Sequence, residues 1–200
     1  MRKHSKSGLN FNRRRVKVSN DTMMEILKYI TGICGAVGLA FFLVFCWGNS
    51  TRIIGSSMEP SLSNGQIVLV SKLSYIFLKP RIGDVVVFLP NGNQNTHYYI
   101  KRVVATPGDK VEIKSGILYV NDEPEKEATD KIADSGILDS PLTLGDDEYF
   151  VLGDNRNNSE DSRSGNIGPV NISLIEGRVW FKLEKSESGT GFMNRKMSVK

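Results

Sequence analysis

The sequence predicts a mainly β domain carried behind a single N-terminal apolar helix. Three observations predict it. Residues 29–51 contain no charged side chain, and Leu, Val, Ile and Phe dominate most of that stretch. Beyond it, short apolar and β-branched runs recur between Gly and Pro punctuation. No long amphipathic helical pattern occurs outside the apolar stretch, which leaves strands to build the core.

The first element is a basic arm, residues 1–25. Its first 17 residues carry Arg2, Lys3, Lys6, Arg13, Arg14, Arg15 and Lys17 and no acid. Such an arm binds nucleic acid or rests on anionic lipid. The apolar stretch that follows decides for membrane lipid, and nucleic acid is not expected as a partner.

Residues 26–48 read as a transmembrane anchor. About 20 residues in a helix rise about 30 Å, one hydrocarbon thickness. Tyr29 and Trp47 stand at its two ends, and Lys28 can snorkel at the inner edge. A cleavable leader has a shorter apolar core, about 7–15 residues, ending in small residues. Here the run is longer and ends in Phe45-Cys46-Trp47. The basic residues precede the span and only Arg52 closely follows it, so the N-terminus is expected in the cytoplasm and the β domain outside. Both cysteines, Cys34 and Cys46, lie in the span, so the expected exterior domain has neither a disulfide nor a thiol nucleophile. That argues against a cysteine transpeptidase of the sortase type. With only His4 and His97 and no His-Glu-x-x-His motif, zinc chemistry is poorly supplied too; no metal or organic cofactor is expected.

Residues 48–52 read as a short link. Strands are then expected at 66–70, at 84–89 between Gly83 and Pro90, and at 98–105, where Thr106-Pro107-Gly108-Asp109 stops the run. Residues 110–114 and 117–120 flank Ser115-Gly116 and form a hairpin signal. Further strands fall at 149–152 and 178–183. Residues 123–145 are acidic and weakly patterned and read as a surface excursion; 187–200 read as a flexible tail behind a domain spanning 49–186.

Three segments carry chemistry. Gly55-Ser56-Ser57-Met58-Glu59-Pro60 places a serine among small neighbours ahead of a proline that fixes the backbone; alone, such a segment is ordinarily only a turn. Lys101 lies on the 98–105 strand, where it shares a face with Tyr99 and Val103 while Ile100 and Val104 take the other. Ordinarily a Lys-Arg pair there is a charged strand edge, yet both faces are apolar enough to desolvate an amine, and desolvation lowers a lysine pKa. A serine needs a base to attack an amide, and a neutral lysine is one. The third segment, residues 153–163, is rich in turn formers. Counted from Asp154 as a calcium loop, it offers Arg156 at the third position and Ser159 at the sixth, where a ligand and a glycine are needed; calcium binding is rejected.

In this order, behind one anchor, the segments resemble bacterial type I signal peptidase, a membrane-anchored Ser/Lys protease, over roughly residues 52–183. The resemblance implies an extracytoplasmic antiparallel β-sheet domain with a small variable insertion at about 110–147. It implies that Ser57 is the acylating nucleophile and Lys101 its base. Ser57 N–H would be part of the oxyanion hole; the position two residues earlier, which carries a hydroxyl donor in some relatives, is Gly55 here. Ser159 would hydrogen-bond and orient the lysine amine. Asp161 and Arg163 would brace the loop as an ion pair, and Gly153 and Asn158 would shape it. Met58 and Pro60 would contact substrate, Met58 facing membrane or peptide. Two positions depart from the family pattern: Asn157 stands where Asp is frequent, and Ser164-Gly165-Asn166 replaces a commonly aromatic stretch. The implied substrates are signal peptides of exported preproteins, cut after small residues of the Ala-x-Ala type near the export machinery. The alternative is a specialised or inactive relative that assists assembly of surface structures such as pili. A self-cleaving repressor of the same Ser/Lys chemistry would need a cytosolic DNA-binding domain, for which the arm is too short.

Overall fold

The computed structural model describes residues 20–47, 49–90, 97–125, 131–183 and 190–193. Most of the basic arm, residues 1–19, and much of the expected tail lie outside the described residues.

Two units are distinct, residues 1–42 and 43–200. The first contains most of α1 (Asn20–Trp47), a helix of 28 residues. Its length is about 42 Å at 1.5 Å per residue. It starts ahead of the apolar stretch because Asn20, Asp21 and Thr22 suit a helix start, with Asp21 in the first turn where the helix dipole favours an acid. Residues 20–42 of this helix are long and apolar enough to cross a membrane.

The second unit is built on strands, and every described pairing is antiparallel. In chain order these are β1 (Asn49–Arg52), β2 (Ile67–Ser71), β3 (Val85–Phe88), β4 (Tyr99–Ala105), β5 (Lys110–Lys114), β6 (Ile117–Val120), β7 (Glu123–Pro124), β8 (Leu142–Thr143), β9 (Glu148–Leu152), β10 (Val170–Asn171), β11 (Ile175–Lys182) and β12 (Gly191–Phe192). A one-turn helix, α2 (Ser74–Phe77), follows β2. The larger sheet runs β1-β2-β11-β3-β4-β9-β10, with β12 added to β11, and the smaller runs β7-β6-β5-β8.

Three expectations need correction. The short link is β1, registered on β2 from Asn49↔Val70 to Arg52↔Ile67. Polar Asn-Ser-Thr-Arg gives no apolar signal because its strand lies at the edge of the sheet. Part of the expected tail is β12, where Phe192 packs against Phe181 (ring centroids 5.3 Å apart) and Trp180. The excursion is not only surface: Ile132, Leu138 and Leu144 are buried with Val111, Ile113, Leu118 and Val120 in the core of the small subdomain. In the hairpin of that subdomain, Ser115 and Gly116 both take positive φ, 53° and 79°, the geometry of a tight two-residue turn.

Strand β4 is the centre of the fold. Ile100 joins a core with Ile53, Met58, Leu62 and Val87; Val103 joins a second with Phe88 and Tyr149; Val104 and Ala105 join the subdomain core. A lysine in the middle of such a strand is forced out of water.

Candidate active site

Lys101 is 4% exposed. Its Nζ donates to Ser57 Oγ at 2.7 Å, across 44 residues of sequence. Tyr99, two residues away on the same strand face, turns its ring to the amine at 5.6 Å from the centroid. Burial pushes the Lys101 pKa down from 10.5 to about 8, against the opposing pull of Asp161, Glu160 and Asp154 and with a smaller assisting push from Arg163. Once the amine has lost its proton, the direction of the Ser57 bond reverses, and the hydroxyl donates to nitrogen.

Ser57 is held from both sides. Gly55 adopts φ +94°, a left-handed conformation that a side chain strains, and its N–H donates to Asn64 Oδ1 at 3.2 Å. Gly55 therefore sets the turn, and its amide is already engaged. The Ser57 carbonyl accepts from Asn155 N at 3.0 Å. Ser56 is tied through its carbonyl to Asn155 Nδ2 at 3.3 Å and through Oγ to Asn158 Nδ2 at 2.9 Å. Asn158 thus grips the segment that carries Ser57 rather than only shaping its own loop.

Gly153 is where the polar loop passes the serine. A Cβ at this position would sit 2.5 Å from the Ser57 carbonyl and would also overlap Ser159 Oγ. Only glycine permits that approach, and Gly153 N–H donates to Asp161 Oδ2 at 3.1 Å. The expected ion pair is present and bidentate: Arg163 Nε donates to Asp161 Oδ1 at 2.8 Å and Nη2 to Asp161 Oδ2 at 2.9 Å. Arg163 also donates to the carbonyls of Arg156 and Asp134, joining the loop to the subdomain. A buried pair of this kind fixes geometry more than it adds net stability.

Two expected placements are not met, those of Ser159 and Pro60. Ser159 makes no hydrogen bond to Lys101. Its Oγ is buried without a partner among the described residues, because the amine points its short bond at Ser57. Met58, expected to face membrane or peptide, is buried in a core cluster and also lines the cleft beside Ser57 and Lys101. Pro60 is exposed and is not among the residues lining the cleft.

Other residues of the site stand out only in three dimensions. Arg102, the neighbour of Lys101, is buried and clasps Asp154 with two bonds, Nε to Oδ1 at 2.7 Å and Nη2 to Oδ2 at 2.6 Å. It also donates to Gly83 O and Ser61 Oγ. Arg156 clasps Glu125 in the same way, at 2.6 and 2.7 Å. Tyr99 Oη donates to Glu160 Oε2 at 3.0 Å, and burial with this carboxylate raises the phenol pKa. The available signal was the arginine itself: on a strand buried on both faces it requires a counter-charge.

The result is a cleft of about 300 Å³ with Ser57 and Lys101 in its wall and Ile53, Met58 and Ile100 as apolar lining. Residues 99–101 pair with β3, while β9 pairs with β4 only from Arg102↔Leu152 onward, so among the described residues their other edge is unpaired. A neutral amine bonded to a serine hydroxyl, beside an unpaired strand edge, equips the site for acyl transfer from an extended peptide.

Residues 26–183 match the family model described as signal peptidase, peptidase S26. A probable signal peptidase I-1 of Synechocystis sp. is 38% identical over 139 residues, 64% of this chain and 67% of that protein. Signal peptidase I P of Bacillus subtilis subsp. natto is 33% identical over 187 residues, 88% of this chain and 97% of that protein. The crystal structure of a signal peptidase I from Enterococcus faecalis V583 is 28% identical and aligns with a TM-score of 0.42, over 51% of this chain and 97% of that one.

Proposed function

Since the chain belongs to the signal peptidase family, peptidase S26, we propose that it removes signal peptides as a type I signal peptidase, with Ser57 as nucleophile and Lys101 as its base. The observation that carries this reading is the 2.7 Å contact between a buried, pKa-lowered amine and a serine hydroxyl at the wall of a cleft. The alternative of an inactive assembly factor has no feature of this site in its favour, since both reacting groups are present and in contact.

The substrate lies extended along the unpaired edge of residues 99–101, with the side chain before the cleaved bond in the apolar cleft. Alanine and similar small residues are expected before the cut, as the resemblance to the family implies. Neutral Lys101 takes the Ser57 proton as Oγ attacks the carbonyl carbon. Ser57 N–H, which has no hydrogen-bond partner among the described residues, donates to the oxyanion, an interaction worth roughly 3–4 kcal/mol in comparable sites. The protonated Lys101 returns its proton to the leaving amine. Water then attacks the acyl-enzyme; Lys101 accepts its proton and passes it to Ser57 Oγ as the bond to the acyl group breaks. Asp161, Arg163, Arg102 and Asn155 touch none of the reacting atoms; they hold the serine, the lysine and the loop in register.

Helix α1 anchors the enzyme and leaves the β domain on the outer face of the membrane, where translocated preproteins emerge from the export machinery. Membrane lipid and substrate thus meet the enzyme in two dimensions, which raises the encounter rate without any added contact. Two readouts in one experiment test this. In cells producing the full chain, an exported preprotein is expected to lose its signal peptide faster, and protease added outside the cell is expected to digest the β domain. Unchanged processing contradicts the activity. A β domain protected from external protease but digested in opened cells contradicts the topology.

A further inference from the structure

Beside the catalytic cleft lies a second cavity of about 690 Å³, and Asn158 and Glu160 line both. The second cavity lies between the polar loop and residues 133–137 of the small subdomain. Its lining side chains differ from those of the cleft. Ile53, Ile54 and Ile100 give the cleft an apolar side. Asp134, Arg156, Ser159, Glu160 and Arg163 give the second cavity a polar wall.

The charge of the wall is one-sided. Arg156 is matched by Glu125 and Arg163 by Asp161, in bidentate pairs. Asp134 and Glu160 are the wall carboxylates with no arginine matched to them in this way, and both are exposed. Tyr99 Oη holds Glu160 at the junction of the two cavities, beside Lys101.

We propose that the second cavity receives the polypeptide downstream of the cleaved bond, and that Glu160 selects for a cationic side chain among its first few residues. The proposal rests on the peptidase reading above and deepens it. The half of the substrate that becomes the acyl group carries the apolar end of a signal peptide and matches the apolar cleft. The leaving half is the start of a water-soluble chain and matches a polar wall. Glu160 is here a specificity-determining residue: its carboxylate meets the substrate side chain and takes no part in proton transfer.

The test uses the full chain in detergent. Synthetic signal peptides carry one Ala-x-Ala site and differ only in having Lys, Gln or Glu at one of the first three positions after the cut. Relative kcat/KM is read for wild type, Glu160→Gln and Glu160→Lys. At one or more of these positions the wild type is expected to prefer Lys over Gln by roughly two- to five-fold, the range of an exposed ion pair, and to disfavour Glu. Salt at about 0.5 M is expected to shrink the preference. Glu160→Gln is expected to abolish it and Glu160→Lys to invert it. A ratio between peptides is unaffected by any shift of the Lys101 pKa, so it separates selection from tuning of the base. Equal cleavage of the three peptides by wild type at every position overturns the proposal. So does a preference that persists unchanged in Glu160→Gln. Failure of wild type to cleave any peptide overturns the peptidase reading as well, and so is distinguishable from failure of the selectivity alone.

Discussion

Lys101→Met is expected to abolish peptide cleavage while making the β domain more stable. The loss of rate follows from the base: no other amine contacts Ser57 Oγ among the described residues, and removal of a general base that activates a nucleophile costs about 10²–10⁴-fold. The gain in stability follows from linkage. The folded-state pKa of Lys101 lies below its ordinary value, at about 8 against 10.5. Between those values the unfolded chain binds more protons than the folded one, so this residue's contribution to stability rises with pH from about 8 to 10.5. Below pH 8 its burial costs about 3 kcal/mol. Methionine has nearly the same length and no charge to desolvate. After subtracting about 1 kcal/mol for the lost bond to Ser57, the variant gains about 2 kcal/mol at pH 7. For a domain of this size that is a rise of about 4–8 °C in Tm. The gain should fade as pH approaches 10.5. Thermal unfolding of both proteins at pH 7 and pH 10 checks it; equal Tm at pH 7 contradicts a desolvated amine. An enzyme that is stabilised by losing its base stores its reactivity as a destabilised ground state.

The acylation rate is expected to rise with pH and to level off above an apparent pKa near 8. At pH 7 about a tenth of the Lys101 amine is neutral, and each unit of acidification below that costs about tenfold. The free-enzyme value is read from kcat/KM, with a substrate that does not itself titrate in the range. Glu160 raises the Lys101 pKa through its charge, so Glu160→Gln moves the same limb to lower pH. A rate that climbs steadily to pH 10 would mean a lysine left in water, and the 4% exposure of Lys101 argues against that outcome.

These two expectations depend on parts of the molecule that the sequence revealed unequally. Val85–Phe88, Tyr99–Ala105 and the hairpin of Lys110–Lys114 with Ile117–Val120 were legible because dense β-branched runs end at Gly, Pro or a two-residue turn. Asn49–Arg52 was not, because an edge strand with four polar residues carries no burial pattern. Ile132, Leu138 and Leu144 were missed for a different reason. They are single apolar residues at irregular spacing, and their burial comes from the subdomain closing over them, not from any period along the chain. The contacting pair, Ser57 and Lys101, stood out as motif residues, and strand alternation placed Tyr99 beside the lysine correctly. Their supports were less so. The Arg102–Asp154 clasp spans 52 residues and Arg156–Glu125 spans 31, and charge alone does not choose between such partners. Ser159 shows the limit of motif reading, because its place in the loop fits the pattern while its hydroxyl has no bond to the lysine.

The contact that organises the site is Lys101 Nζ to Ser57 Oγ. It is tested most directly by offering a synthetic signal peptide with one Ala-x-Ala site to the full-length protein and to Ser57→Ala, and identifying the products by mass spectrometry. The account predicts a single cut after the second alanine by wild type and none by the variant. Cleavage at that bond by Ser57→Ala at the wild-type rate would contradict it.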